Sequence, residues 1–65
     1  MISETINQLI NGKNLVQSEA AEIMGEIMDG ESTPSQIAGF LIALRIKGET
    51  VEEIAGLAAT MREKA

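Results

Sequence analysis

Apolar residues recur at helical spacing in four segments of the chain, each bounded by residues that start or stop helices. In the first, Ile6, Leu9 and Ile10 form one edge, Ser3 stands where a cap is needed and Asn11-Gly12 stops the run. This helix is barely two turns long, and isolated helices shorter than ~12–15 residues are marginal in water, so it must lean on its neighbours. Residues 13–17 then connect, with Leu15 and Val16 expected to tuck under the bundle. Ser18 caps the second helix, whose buried side is read as Ala20, Ala21, Ile23, Met24, Ile27 and Met28, and Gly30 ends it. The third runs from Pro34 to Lys47. The fourth runs from Val51 to about Lys64, with Val51, Ile54, Leu57, Ala58 and Met61 as its apolar stripe. No alternation of apolar and polar residues survives four positions, so no strand is predicted. Short connections suit consecutive helices packed on one another. The expected fold is all-α: a single domain over residues 1–65, built as a small, up-down-like bundle of four short helices.

The stretch from Thr33 to Glu53 carries the sharpest signals. Thr33-Pro34-Ser35-Gln36 has the form of a capping box, with proline at the first helical position, where its missing N–H costs nothing. Lys47-Gly48 closes the helix with a cation in the last turn and a glycine suited to a positive φ. Thr50-Val51-Glu52-Glu53 opens the next helix with a second box. Between them lie Ile37, Ala38, Phe40, Leu41, Ile42, Ala43, Leu44 and Ile46, relieved only by Gly39 and Arg45. An ordinary surface helix shows one apolar stripe, and no single face holds all of these residues. Contact with something beyond its own bundle is therefore expected of the third helix.

Composition narrows the possibilities. A chain of 65 residues makes one small domain. A core of that size rarely supplies more than ~3–5 kcal/mol without a disulfide, a metal or an oligomer. There is no cysteine and no histidine, which removes disulfides and thiolate metal sites and leaves an oligomer, or attachment to a larger body, as the route to robust stability. The net charge is −5 and the five cations, Lys13, Arg45, Lys47, Arg62 and Lys64, are scattered, so nucleic acid is a poor partner. No apolar run approaches the ~18 residues of a membrane span. Met1-Ile2-Ser3-Glu4 has neither the charged nor the apolar region of a secretory signal, and a cytoplasmic protein is expected.

Three segments, NGKNL, SEAAEIMGEIMDGE and TPSQIAGFLIALRIKGETVEEIAGLAATMRE, closely resemble the N-terminal helical domain of the anthranilate phosphoribosyltransferases. The pyrimidine-nucleoside phosphorylases share this domain. The resemblance covers about Leu9 to Lys64 and is most specific in QIAGFLIALRIKGET followed by EEIAG and MRE. It implies a parent enzyme that transfers phosphoribose from phosphoribosyl pyrophosphate to the amine of anthranilate, with magnesium, in tryptophan biosynthesis. The chemistry is then expected in a cleft between this domain and a larger α/β domain that carries the glycine-rich pyrophosphate loop and the metal ligands. The six glycines here, at 12, 25, 30, 39, 48 and 56, are isolated singles, so no phosphate-cradling loop can be built from them. On this reading the chain binds no cofactor and is inactive alone.

The resemblance also implies roles for particular residues. The family's small domain supplies much of a homodimer interface and one wall of the substrate cleft. The first and third helices resemble its dimer-forming elements, which points to Ile6, Leu9, Phe40, Leu41, Leu44 and Arg45 for self-association. Leu41 and Leu44 could equally fill this domain's own core. Met61 matches the methionine of the family's M-R-E segment, beside the path of the aromatic substrate. A polarizable thioether suits an aromatic ring edge, although the same methionine also continues the stripe of the fourth helix as ordinary packing.

Other constellations have plainer readings. Glu19, Glu22, Glu26 and Asp29 on the second helix suit a solvated acidic face better than a hard-cation site, which needs a loop wrapping several oxygens round the ion. Glu52 and Glu53 point about 100° apart on a helix and belong to the dipole and the capping box. Arg45 and Lys47 suit helix-end complementarity or an intersubunit ion pair. The alternatives to the anthranilate reading are the small domain of a pyrimidine-nucleoside phosphorylase or a free-standing acidic interaction module. An acyl-carrier-like protein lacks its serine context, since Ser18 lies in QSE and Ser35 in PSQ. A helix-turn-helix DNA binder would place Glu52 and Glu53 against phosphates.

Overall fold

The computed structural model describes residues 2–65, which form four α-helices: α1 (Ile2–Ile10), α2 (Gln17–Met28), α3 (Pro34–Lys47) and α4 (Val51–Glu63). The helix starts of α3 and α4 follow directly from their sequence. Thr33 Oγ1 accepts the Gln36 N–H at 3.1 Å while Gln36 Oε1 accepts the Thr33 N–H at 2.9 Å. Thr50 and Glu53 repeat the exchange at 3.1 and 2.9 Å. Gly12, Gly30 and Gly48 each follow a helix with positive φ, a conformation that a side chain would strain.

Two other helix starts differ from expectation. Ser3 lies inside α1 rather than capping it, because Ile2 is itself helical and buried in the core. Ser18 lies in the first turn of α2, and Val16 occupies the cap position. Valine has no acceptor, so only half a box forms: Glu19 Oε1 takes the Val16 N–H at 3.0 Å. Burial of Leu15 fixes the chain just upstream and lets the helix begin two residues early.

The helices do not pack mainly on their sequence neighbours. α2 lies against α4 and α1 against α3. Along α4, Gly56, Thr60 and Lys64 meet α2 at Gln17 and Ala20, at Ala21, and at Asp29 in turn, so these two helices run parallel. α1 and α3 are also parallel: Gly39 faces Ile6, and Ala43 and Ile46 share a depression with Leu9 and Ile10. The connections α1–α2 and α3–α4 therefore lie at one end of the bundle, and α2–α3 at the other. Alternate helices pointing the same way is the up-down pattern, with the parallel partners as the intimate ones.

The core consists of Ile2, Leu9, Leu15, Ala20, Ile23, Phe40, Ala43 and Leu44, with Ile6, Ile27 and Leu57 packed against it. On α1 the buried line is Ile2, Thr5 and Leu9; Ile10, expected on that edge, faces outward. Val16 and Met28 are likewise exposed, and Ala21, Met24 and Ile27 are half-buried. The largest departure is in α4. Its fully buried line is Glu53, Gly56 and Thr60, while Val51 (84% exposed), Ile54 and Met61 point away from the core. A Cβ on Gly56 would lie 2.3 Å from the Gln17 carbonyl and 2.9 Å from Ala20 Cβ. The α2–α4 contact is thus a backbone approach that only small residues permit. Bulky residues must then occupy the other faces of α4, which is why an apolar stripe misidentifies the inward side.

Candidate functional site: an apolar groove and a buried polar knot

Turning the bulky side of α4 outward creates a groove against α3. Leu41 and Leu44 line one wall, Ile54, Leu57, Ala58 and Met61 the other, and Glu49 from the intervening turn stands at one end. The groove encloses about 340 Å³, within the range of a small-molecule site. Met61, singled out in the sequence, is 47% exposed on this wall. A second depression of similar size lies on the other flank of α3, between α1 and α3. Leu9, Ile10, Gly12, Ala43, Ile46 and Lys47 line it. Apolar residues surround α3 almost evenly, as the sequence implied, and Leu41, Ile42 and Ile46 (82% exposed) lie uncovered within this chain.

Of the six residues assigned to self-association, three lie inside this chain's own core. Leu9, Phe40 and Leu44 are core residues, and Phe40 has no exposed surface at all. They fill the centre because α1 and α3 run parallel and close together at Gly39. Ile6 is half-buried against that core, and only Leu41 and Arg45 present substantial surface. Ile10, Ile42 and Ile46 have more exposed apolar surface than the residues chosen from the sequence. Exposure round a helix could be anticipated from the even distribution of apolar residues, but which flank is open could not.

The end of the bundle where two connections meet holds a feature the sequence reading missed. Glu53, expected only to cap α4, is wholly buried. Its Oε2 accepts the Leu15 N–H at 2.7 Å, and its Oε1 accepts both the Thr50 N–H and the Lys47 ammonium at 2.9 Å. Lys47 Nζ also donates to Asn14 Oδ1 and to the Gly48 carbonyl, each at 2.9 Å. Both partners are desolvated, with side chains 0% and 6% exposed. Burial pushes the Glu53 carboxyl up, but the Leu15 amide, the Lys47 ammonium and the Thr50 amide outweigh it and hold the group below the usual glutamate range. Lys47 therefore pairs within its own chain, with Glu53, and its contact with the Gly48 carbonyl is the helix-end complementarity that the sequence also offered. The sequence contained a hint: Lys47 and Glu53 flank one tight turn, to which the fold brings Asn14 and Leu15.

The acidic side of α2 does not assemble a cation site. Asp29 Oδ1 is held by Lys64 Nζ at 2.9 Å, and Glu19 caps Val16. Among the described residues no group of three or more acidic side chains converges. No helix among them is long and apolar enough to cross a membrane.

Residues 3–65 of this four-helix bundle match the helical bundle domain of a glycosyl transferase family. The chain belongs to that family. It is 58% identical over 64 residues to an anthranilate phosphoribosyltransferase of Dehalococcoides mccartyi, a match covering 98% of this chain and 19% of that protein. Proteins of the same name from Chloroflexus aggregans (59% over 64 residues, 98% of this chain) and Acetivibrio thermocellus (54% over 65 residues, 100% of this chain) also match. In each case the chain spans 19% of the relative's length.

Proposed function

We propose that this chain is the helical domain of an anthranilate phosphoribosyltransferase, contributing a wall of the substrate cleft and a surface for self-association. On this reading the phosphoribosyl transfer itself, and its magnesium, reside in a larger domain of a cytoplasmic enzyme, and the 65 residues alone are inactive. The observation that carries the proposal is the α3–α4 groove with Met61 on its rim, in a chain whose relatives bear that enzyme's name. An aromatic acid can lay its ring against the thioether and aliphatic wall, a contact worth ~0.3–1.5 kcal/mol for sulfur with an aromatic edge.

The test is positional. In the complete enzyme, Met61→Ala is expected to raise the KM for anthranilate several-fold while leaving that for phosphoribosyl pyrophosphate nearly unchanged. Equal changes in both would return Met61 to ordinary packing. Self-association is supported by Ile10, Ile42 and Ile46, whose exposed flank is apolar and lies opposite the groove-lining α4. Sedimentation equilibrium of the chain should show a dimer that Ile46→Glu dissociates. A species that stays monomeric at millimolar concentration removes this part of the reading.

A further inference from the structure

The bundle is two parallel helix pairs, α1/α3 and α2/α4, and two sets of side-chain hydrogen bonds tie distant segments among the described residues. Thr60 to Ala21 and Lys64 to Asp29 lie within α2/α4. The Lys47–Glu53–Asn14–Leu15 set joins one pair to the other. It does so at the end where the α1–α2 and α3–α4 connections meet. At the opposite end a single connection, residues 29–33, links the pairs and contains Gly30 at φ 77°. The α3–α4 groove straddles the two pairs, whereas the α1–α3 depression lies within one of them.

We propose that Lys47 and Glu53 form a pin that fixes the angle between the two helix pairs and so sets the width of the α3–α4 groove. With the pin intact, the connector at Asn14 and Leu15 is tied to the start of α4, and the groove walls keep one spacing. With it broken, the pairs rock about residues 29–33 while each stays folded, because the internal contacts at Gly39–Ile6 and Gly56–Ala20 are untouched. The proposal does not depend on which small molecule, if any, the groove receives.

Amide hydrogen exchange followed by NMR on the chain and on Glu53→Gln tests it. A glutamine offers one acceptor oxygen in place of two and turns an N–H₂ toward groups that are all donors. Exchange of the Leu15, Leu44 and Leu57 amides should accelerate about tenfold more than that of Ile23 inside α2/α4 or of Leu9 inside α1/α3, as a sub-global opening requires. One common acceleration at every amide, or an unchanged Leu15, overturns the proposal. If Glu53→Gln does not fold, Asn14→Ala keeps the carboxylate and its cation and removes one tie. It should produce the same ordering at about threefold, and a uniform change there overturns the proposal equally.

Discussion

The two helix pairs are held together by opposite means. Between α1 and α3 the contact is bulk: Ile2, Leu9, Phe40 and Leu44 are large side chains buried in the core. Between α2 and α4 the contact is closeness: Ala20, Ala21, Gly56 and Thr60 bring two backbones together, and Thr60 Oγ1 donates to the Ala21 carbonyl at 3.1 Å. A bulky interface hides its large side chains. A close one expels them, and α4 displays Val51, Ile54 and Met61 on its far side as a result. The groove thus arises directly from the way α4 packs. Apolar residues facing outward on α4 then follow from its close packing on α2.

Substitutions can break this comparison at each of its parts. The largest effect is expected for Phe40→Ala, at about 3–5 kcal/mol from lost transfer and a residual cavity. For a domain this small that approaches total stability, so urea titration should find the variant largely unfolded. Lys47→Ala should cost about 3–5 kcal/mol as well, because it strands a buried carboxylate. Replacing both Lys47 and Glu53 by apolar residues should cost less than the sum of the two single changes, which a double-mutant cycle would detect.

Acid acts on the same group. The folded Glu53 pKa lies below its unfolded value, so the unfolded chain binds the proton more readily. The contribution of Glu53 is therefore full above the ordinary value of 4.5 and is lost as the pH falls through the lower folded value. Thermal melts from pH 6 to pH 3 should show this decline, and Glu53→Gln should flatten it.

Gly56→Ala sharpens the contrast between the pairs. Helix propensity favours alanine by about 1 kcal/mol. The added Cβ meets a backbone oxygen that cannot yield without moving α2, and overpacking of this kind costs typically ~1–3 kcal/mol. A net loss of stability is expected, where the same change at an open helical position would gain it. Gly39→Ala is the control, since there the Cβ meets only the tip of Ile6 at 3.5 Å. That change should be neutral or mildly stabilising. The smallest effect belongs to Val51→Ser, which should leave monomer stability within about 0.5 kcal/mol, in keeping with its exposure.

The sequence by itself determined the helix count, the all-α class, the boundaries of α3 and the start of α4. Capping boxes, a proline at the first turn and glycines after the last are local chemistry, satisfied within four or five residues whatever the rest of the chain does. It also determined that α3 carries more apolar surface than one face can hide. Only the tertiary structure decided which side of α4 turns inward, that Leu9, Phe40 and Leu44 are core while Ile10, Ile42 and Ile46 are not, and that Glu53 meets Lys47 and Leu15. Those choices rest on how closely two backbones approach and on which ends of the bundle coincide. Both are properties of pairs of helices distant in sequence, and no periodicity within one helix encodes them.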